Sequence, residues 1–69
     1  MTTNQIENIF SYHTPKGTQQ ERYIKLREQA KVLAMMINEV CPESREKSLS
    51  ITHLQTTIMF ANASIAINE

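Results

Sequence analysis

Two stretches of the chain carry apolar residues at alternating steps of three and four, the spacing that forms one face of an α-helix. The first set comprises Tyr23, Leu26, Ala30, Leu33, Ile37 and Val40. The second set comprises Ile51, Leu54, Ile58, Ala61 and Ile65. The pattern predicts an all-α protein with two long helices, which we assign to residues 18–40 and 43–67.

Local signals indicate where the first long helix begins. The sequence T-Q-Q-E at residues 18–21 has the spacing of a capping box. In that motif the Thr18 hydroxyl accepts from a backbone N–H, and Glu21 bonds back to the cap. We therefore expect the helix to begin at Gln19.

The turn between the two helices is equally marked. The first helix should end near Val40, because Cys41 precedes Pro42 and the residue before a proline is disfavoured in helical geometry. The second helix begins near Pro42, which suits a first helical position, or takes Ser44 as its N-cap. Since the connection is short, the two helices should form an antiparallel hairpin.

The chain before the hairpin is a short N-terminal segment and loop, residues 1–17 of a single domain spanning 1–69. Residues 2–10 are expected to form a lead-in with one helical turn, capped by Thr3 or Asn4. A loop follows at 11–17, where Pro15 and the single glycine, Gly17, break regular structure.

Several apolar residues lie outside the two stripes: Val32, Ala34, Met35, Met36, Leu49, Met59 and Phe60. A two-helix hairpin has only one internal seam, so this surplus surface must face another copy or another protein. A chain of 69 residues is marginally stable alone, and its one cysteine excludes an internal disulfide. Its residues also lack the ligand spacing of a structural metal site. We therefore predict a homo-oligomer with closed symmetry.

Composition excludes several functional classes. The 7 basic and 7 acidic residues give zero net charge, which argues against a DNA-binding protein. No apolar run approaches the length of a membrane span, and the N-terminus does not resemble a signal peptide. We expect a soluble chain in a reducing cytosol.

The charges are unevenly placed. Residues 13–31 hold five cations and two carboxylates, a local charge of +3. A solvated helix face with pairs such as Glu21–Lys25 and Glu28–Lys31 is the ordinary interpretation. The alternative is an anion site in which arginine forks bind phosphate.

Three ring-bearing residues, Phe10, Tyr12 and His13, lie at or next to the start of this basic segment. Aromatic faces beside cations suit nucleotides, because bases stack and phosphates pair. We expect Phe10 to pack onto the hairpin, Tyr12 to lie in the loop, and His13 to hydrogen-bond within it. No catalytic motif is present, and Cys41 is expected to be a small buried hydrophobe, so an enzyme is not predicted.

Taken together, several segments resemble a known family. They are N-I-F-S-Y-H-T-P-K-G at 8–17, R-Y at 22–23, L-R at 26–27, C-P-E-S-R-E-K at 41–47 and M-F-A-N-A-S-I-A at 59–66. In order and spacing they resemble the phage anti-CBASS cyclic-oligonucleotide sponges, small helical proteins that counter bacterial defence signalling. Phe60 stands where the family has a tryptophan, a substitution that changes packing and not chemistry.

The resemblance implies a non-catalytic sponge that binds cyclic dinucleotides such as cyclic GMP–AMP, in the cytoplasm of the infected bacterial host. It needs no cofactor or metal. Family members form homo-hexamers with ligand pockets between subunits. By residue type, Tyr12 would stack on a base and Arg27 would contact a phosphate, with Lys25 as the alternative in a shifted register. Lys16 and His13 are neighbouring candidates.

Some members also bind cyclic trinucleotides, a second class of partner. Ile67 lies where that activity would call for a basic residue.

Two other functions fit parts of the pattern. The surplus apolar residues also suit a small helical protein-interaction module, an adaptor or inhibitor that docks on a host protein. A helix-turn-helix DNA reader is less compatible, because its helices should be shorter and its charge positive.

Overall fold

A computed structural model describes all residues from 1 to 69 and contains three helices and no strands. The helices are α1 (Thr3–Ile9), α2 (Gln19–Val40) and α3 (Arg45–Asn68). The two long helices pack against each other as an antiparallel hairpin. Residues 11–17 lie outside any helix, as the loop prediction requires. No helix combines the length and apolar character needed to cross a membrane.

The lead-in forms two turns of helix, and its cap differs from the expected one. The N-cap is Thr2, not Thr3 or Asn4. Thr2 Oγ1 accepts from the Gln5 backbone N–H at 3.1 Å, and Gln5 Oε1 accepts from the Thr2 N–H at 2.8 Å. This reciprocal pair is a capping box with glutamine in the third position.

The capping box predicted at Thr18 is not formed. Thr18 has φ −87° and ψ 6° and makes no side-chain cap hydrogen bond. An N-cap needs extended backbone to bring its hydroxyl over the first turn. Thr18 instead completes the turn after Gly17, whose φ of 57° lies in the left-handed region that glycine adopts without strain. Sequence spacing alone could not reveal that backbone conformation.

At the other end of the hairpin, the second of the two predicted helix starts is the observed one. α2 ends with Cys41 as its C-cap, in extended backbone as expected before Pro42. Ser44 caps α3, and its Oγ accepts from the Lys47 backbone N–H at 3.1 Å. The second helix thus covers residues 45–68, and not the expected 43–67.

Lys47 closes this end of the hairpin. Its side chain is buried, and Nζ donates to the Asn38 carbonyl at 2.9 Å and to Glu43 Oε1 at 2.6 Å. The Asn38 carbonyl would normally accept from the N–H four residues later, but that residue is Pro42, which has none. The Lys47 side chain therefore supplies the donor that the backbone lacks at Pro42.

The seam between α2 and α3 follows the predicted stripe on α3 but departs from it on α2. All five predicted α3 residues are half-buried. On α2, Leu33 and Val40 are 44% and 70% exposed, whereas Ala34 and Cys41 are half-buried instead. Alternating steps of three and four have a 3.5-residue period, which drifts around a straight helix by roughly 20° every seven residues. In the second half of α2, the predicted stripe keeps Ile37 at the seam but loses Leu33 and Val40, whereas the stripe of α3, with the same period, stays at the seam throughout.

One protomer has no closed apolar interior. Its only buried residues are Gln19 and Lys47, and no hydrophobic residue is buried. Its accessible surface is 5749 Å². A compact monomer of this mass would expose about 4,400 Å². Phe10, which we expected to pack onto the hairpin, is 84% exposed.

Candidate functional site

A shallow cleft lies at the open end of the hairpin, where the 11–17 loop meets the start of α2 and the end of α3. Its volume is about 320 Å³. Its lining includes the following side chains: Asn8, Tyr12, His13, Lys16, Gln19 and Glu69. The cleft thus combines an aromatic ring, an imidazole, an ammonium group, two amides and a carboxylate.

Two hydrogen bonds fasten the loop and α1 to the hairpin. His13 Nε2 donates to the Asn8 carbonyl at 2.8 Å, in agreement with the loop role predicted for this histidine. Asn8 Nδ2 in turn donates to the Ile67 carbonyl at 3.1 Å. Ile67 belongs to the last turn of α3, whose carbonyls have no partners within the helix. The loop is therefore attached to α3 through Asn8.

Gln19 is the most buried residue of the chain, at 3% exposure. Its Oε1 accepts from the Lys16 backbone N–H at 3.1 Å, and its Nε2 donates to Glu69 Oε1 at 3.2 Å. The buried amide thereby joins the loop, the first turn of α2 and the end of α3.

Arg22 and Glu69 form an ion pair across the same end. Arg22 Nη1 donates to Glu69 Oε2 at 2.8 Å, and Nη2 donates to Oε1 at 2.5 Å. These hydrogen bonds, together with the one from Gln19, lower the pKa of Glu69 to about 2, and the nearby charge of Lys16 acts in the same direction. The pairing raises the pKa of Arg22. The carboxylate is therefore ionised at neutral pH and accepts three donors.

Tyr12 is the most accessible ring at this end. It is 86% exposed, and it lines the cleft together with Lys16. An exposed tyrosine face is available for stacking, while the neighbouring ammonium can pair with a phosphate. No three His, Cys, Asp or Glu side chains converge where they could hold a metal ion.

The structure does not bring all five candidate residues together. Tyr12, His13 and Lys16 line the cleft, whereas Lys25 and Arg27 line separate grooves along α2. Positions two apart on a helix point about 200° away from each other, so these two cations lie on different faces. Arg27 is also about 12 Å further along the helix axis than Gln19.

Arg27 lies in a groove with Tyr23 and Asn62. The Asn62 Oδ1 atom is buried there without a hydrogen-bond partner. The groove places a guanidinium beside an aromatic ring and an unpaired amide oxygen, on the flank of the hairpin and not at its end.

The candidate residues predicted from the sequence leave out several residues of the cleft, among them Asn8, Gln19 and Glu69. The expected ion pairs Glu21–Lys25 and Glu28–Lys31 are also absent. The two ion pairs that form are Arg22–Glu69 and Glu43–Lys47. Contacts that join residues 47 to 59 positions apart leave no signal in local spacing. Only the hairpin geometry, which returns α3 to the start of α2, brings them together.

Comparison with known proteins gives one family. The family model described as Acb2/Tad1, hairpin domain, matches residues 2–66, nearly the whole chain. No curated protein and no solved structure matches the chain.

Proposed function

The chain belongs to the Acb2/Tad1 hairpin-domain family, the anti-CBASS cyclic-oligonucleotide sponges, and on that premise we propose that it binds and sequesters cyclic dinucleotides without cleaving them. Cyclic GMP–AMP is the representative ligand of this class in the experiments below. Holding it would keep CBASS effectors inactive in the cytoplasm of the bacterial host of a phage. The observation that carries the proposal is the exposed Tyr12 ring beside Lys16 in the cleft.

A second copy of the chain completes the proposed site. Within one protomer Tyr12 and Arg27 lie in different depressions, on the end and on the flank. In a symmetric pair, the Tyr12 loop of one protomer lies against the Arg27 flank of the other. A near-symmetric ring with two bases and two phosphates then meets two tyrosines and two arginines.

The surface of the protomer supports this assembly. Its exposed apolar side chains include Met35, Met36, Met59 and Phe60, which are 64%, 53%, 65% and 72% exposed. The surface in excess of a compact monomer, about 1,300 Å², is comparable to what a stable interface buries. We propose a closed homo-oligomer, a hexamer as the family resemblance implies.

Binding and release of intact ligand test this proposal. The purified protein is incubated with cyclic GMP–AMP, freed of excess ligand and heat-denatured, and the released nucleotide is identified. Intact cyclic GMP–AMP is the expected product, because a sponge only holds its ligand. Linear product would show an enzyme, and no retained nucleotide would refute the function.

Two substitutions locate the site. Tyr12→Ala and Arg27→Ala should each weaken binding about tenfold or more, since a charge-assisted contact contributes about 1.5–3 kcal/mol. Phe10→Ala and Arg45→Ala are matched controls that remove an exposed ring and an exposed guanidinium elsewhere. Calorimetric affinities that stay unchanged in the first pair would place the site elsewhere.

The alternative function is a protein-interaction module that docks its apolar face on a host protein. The same exposed methionines favour it. It predicts a monomer or dimer in isolation, whereas the sponge predicts a larger closed assembly, so light scattering on the pure protein separates the two.

A further inference from the structure

The Glu69 carboxylate occupies a set of donors typical of an anion site. It accepts two N–H groups from Arg22 and one from Gln19, and Lys16 stands close enough to favour its charged form. Gln19 is 97% buried, so its amide is fixed before any ligand arrives. The carboxylate itself is 43% exposed and lines the Tyr12 cleft.

We propose that Arg22, Gln19 and Lys16 form an anion cradle that Glu69 fills in the free protein and that a phosphate of the bound ligand takes over. This inference rests on the proposed function and names how the cleft admits its ligand. Glu69 is then an internal competitor, which a dinucleotide phosphate displaces when its base stacks on Tyr12.

The chemistry of the donors supports the exchange. A guanidinium presents two parallel N–H groups, and a phosphate accepts them with the same two-oxygen geometry as a carboxylate. The Gln19 amide can donate to either anion. Replacing one anion by another keeps Arg22 Nη1, Arg22 Nη2 and Gln19 Nε2 paired, so the exchange orphans none of the three donors that Glu69 now satisfies.

Without the exchange, the cleft opposes its ligand. A phosphate held by Lys16 near Tyr12 would face the ionised Glu69 on the same wall, and like charges at short range repel. Because Glu69 follows the last residue of α3 and is partly exposed, its side chain has solvent to move into.

A neutral side chain at position 69 shows whether Glu69 competes with the ligand phosphate or supports the structure of the cleft. Glu69→Gln should bind cyclic GMP–AMP roughly two- to fivefold more tightly than wild type, the range expected for removing one exposed ion-pair partner. Glu43→Gln removes the carboxylate of the other ion pair, at the far end of the hairpin, and should leave the affinity unchanged. Unchanged or weaker binding by Glu69→Gln overturns the proposal, because it would make Glu69 a bystander or a support of the loop.

A second measurement uses the wild-type protein, so it tests the proposal even if the Glu69→Gln variant does not fold. On saturation of wild-type protein with cyclic GMP–AMP, the NMR signals of the Glu69 carboxyl carbon and of Arg22 Nε should both shift as the pair separates. Signals that stay in place while ligand is bound contradict the exchange.

Inorganic pyrophosphate distinguishes failure of this inference from failure of the proposed function. If no cyclic dinucleotide binds, the sponge function fails, yet Glu69→Gln should still respond to pyrophosphate at Arg22 Nε at lower concentrations than wild type. The double variant Arg22→Gln/Glu69→Gln should not respond. An absent response in Glu69→Gln would refute the cradle itself.

Discussion

At the scale of single residues, the fold is fastened by polar side chains at both ends of the hairpin. The two buried residues, Gln19 and Lys47, each bond to a partner on another segment. Lys47 replaces the donor that Pro42 lacks, and Gln19 links the loop to Glu69. Buried polar groups stabilise a structure only when they are satisfied, so both positions should be sensitive to substitution.

Lys47→Met is expected to lower the free energy of unfolding by about 1–3 kcal/mol, because the Asn38 carbonyl is left without a donor. Lys31→Met makes the same chemical change at an exposed position and should stay within about 0.5 kcal/mol of wild type. Chemical denaturation of the three proteins at one concentration measures the difference. Equal losses in both variants would mean that the bond to Asn38 contributes nothing.

The Arg22–Glu69 pair makes stability depend on acidity in a defined window. The pKa of Glu69 is about 2 in the folded protein, below its ordinary value of 4.5. The pair's contribution is thus complete above pH 4.5 and is lost as the pH falls toward 2. Wild type should melt above Glu69→Gln at pH 6, and the gap should close on acidification.

Glu7→Gln is the control for this titration, because Glu7 makes no ion pair. Its melting temperature should follow that of wild type across the same range. A gap between wild type and Glu69→Gln that stays constant from pH 6 to pH 2 would contradict the assignment.

At the scale of elements, local sequence predicts helices better than it predicts their ends. The five predicted α3 seam residues are all half-buried, although their stripe has the same alternating steps of three and four as that of α2. On α2 the prediction after Ala30 is correct at Ile37 but wrong at Leu33 and Val40, in whose place Ala34 and Cys41 are half-buried. Larger side chains there follow the 3.5-residue rhythm, but the backbone follows 3.6.

The two helix starts provide a direct comparison. Ser44→Ala removes an observed cap bond and should cost about 1 kcal/mol. Thr18→Ala removes a hydroxyl that makes no cap bond and should cost little. Thermal unfolding followed by circular dichroism measures both. A larger loss of stability in Thr18→Ala than in Ser44→Ala would indicate that the capping box predicted from the sequence does form.

The candidate site was only partly accessible from sequence, for the same reason. Tyr12, His13 and Lys16 are neighbours along the chain, so their grouping in one cleft follows from the loop. Glu69 lies 57 residues after Tyr12 and enters the cleft only because the hairpin brings α3 back. No spacing rule carries that information.

At the scale of the whole molecule, the exposed apolar surface is the dominant feature. We expect light scattering to give the mass of a hexamer, and we expect the melting temperature to rise with protein concentration, because association stabilises the folded chain. Phe60→Asp places a charge on a 72% exposed ring position and should reduce both the mass and the melting temperature.

Gln20→Asp adds a charge at an exposed polar position in the first turn of α2 and should leave both properties close to those of wild type. A monomer whose melting temperature is independent of concentration would contradict the proposed assembly.

Because no hydrophobic side chain of the protomer is buried, the amount of ligand that the protein holds should depend on its concentration in an unusual way. If folding is completed by partners and the site is shared between them, capacity to hold ligand grows more steeply than the number of chains made. At low protein concentration, the chains would be both loosely folded and free of ligand. Sequestration of the proposed ligand would then begin abruptly, once translation has supplied enough chains to associate.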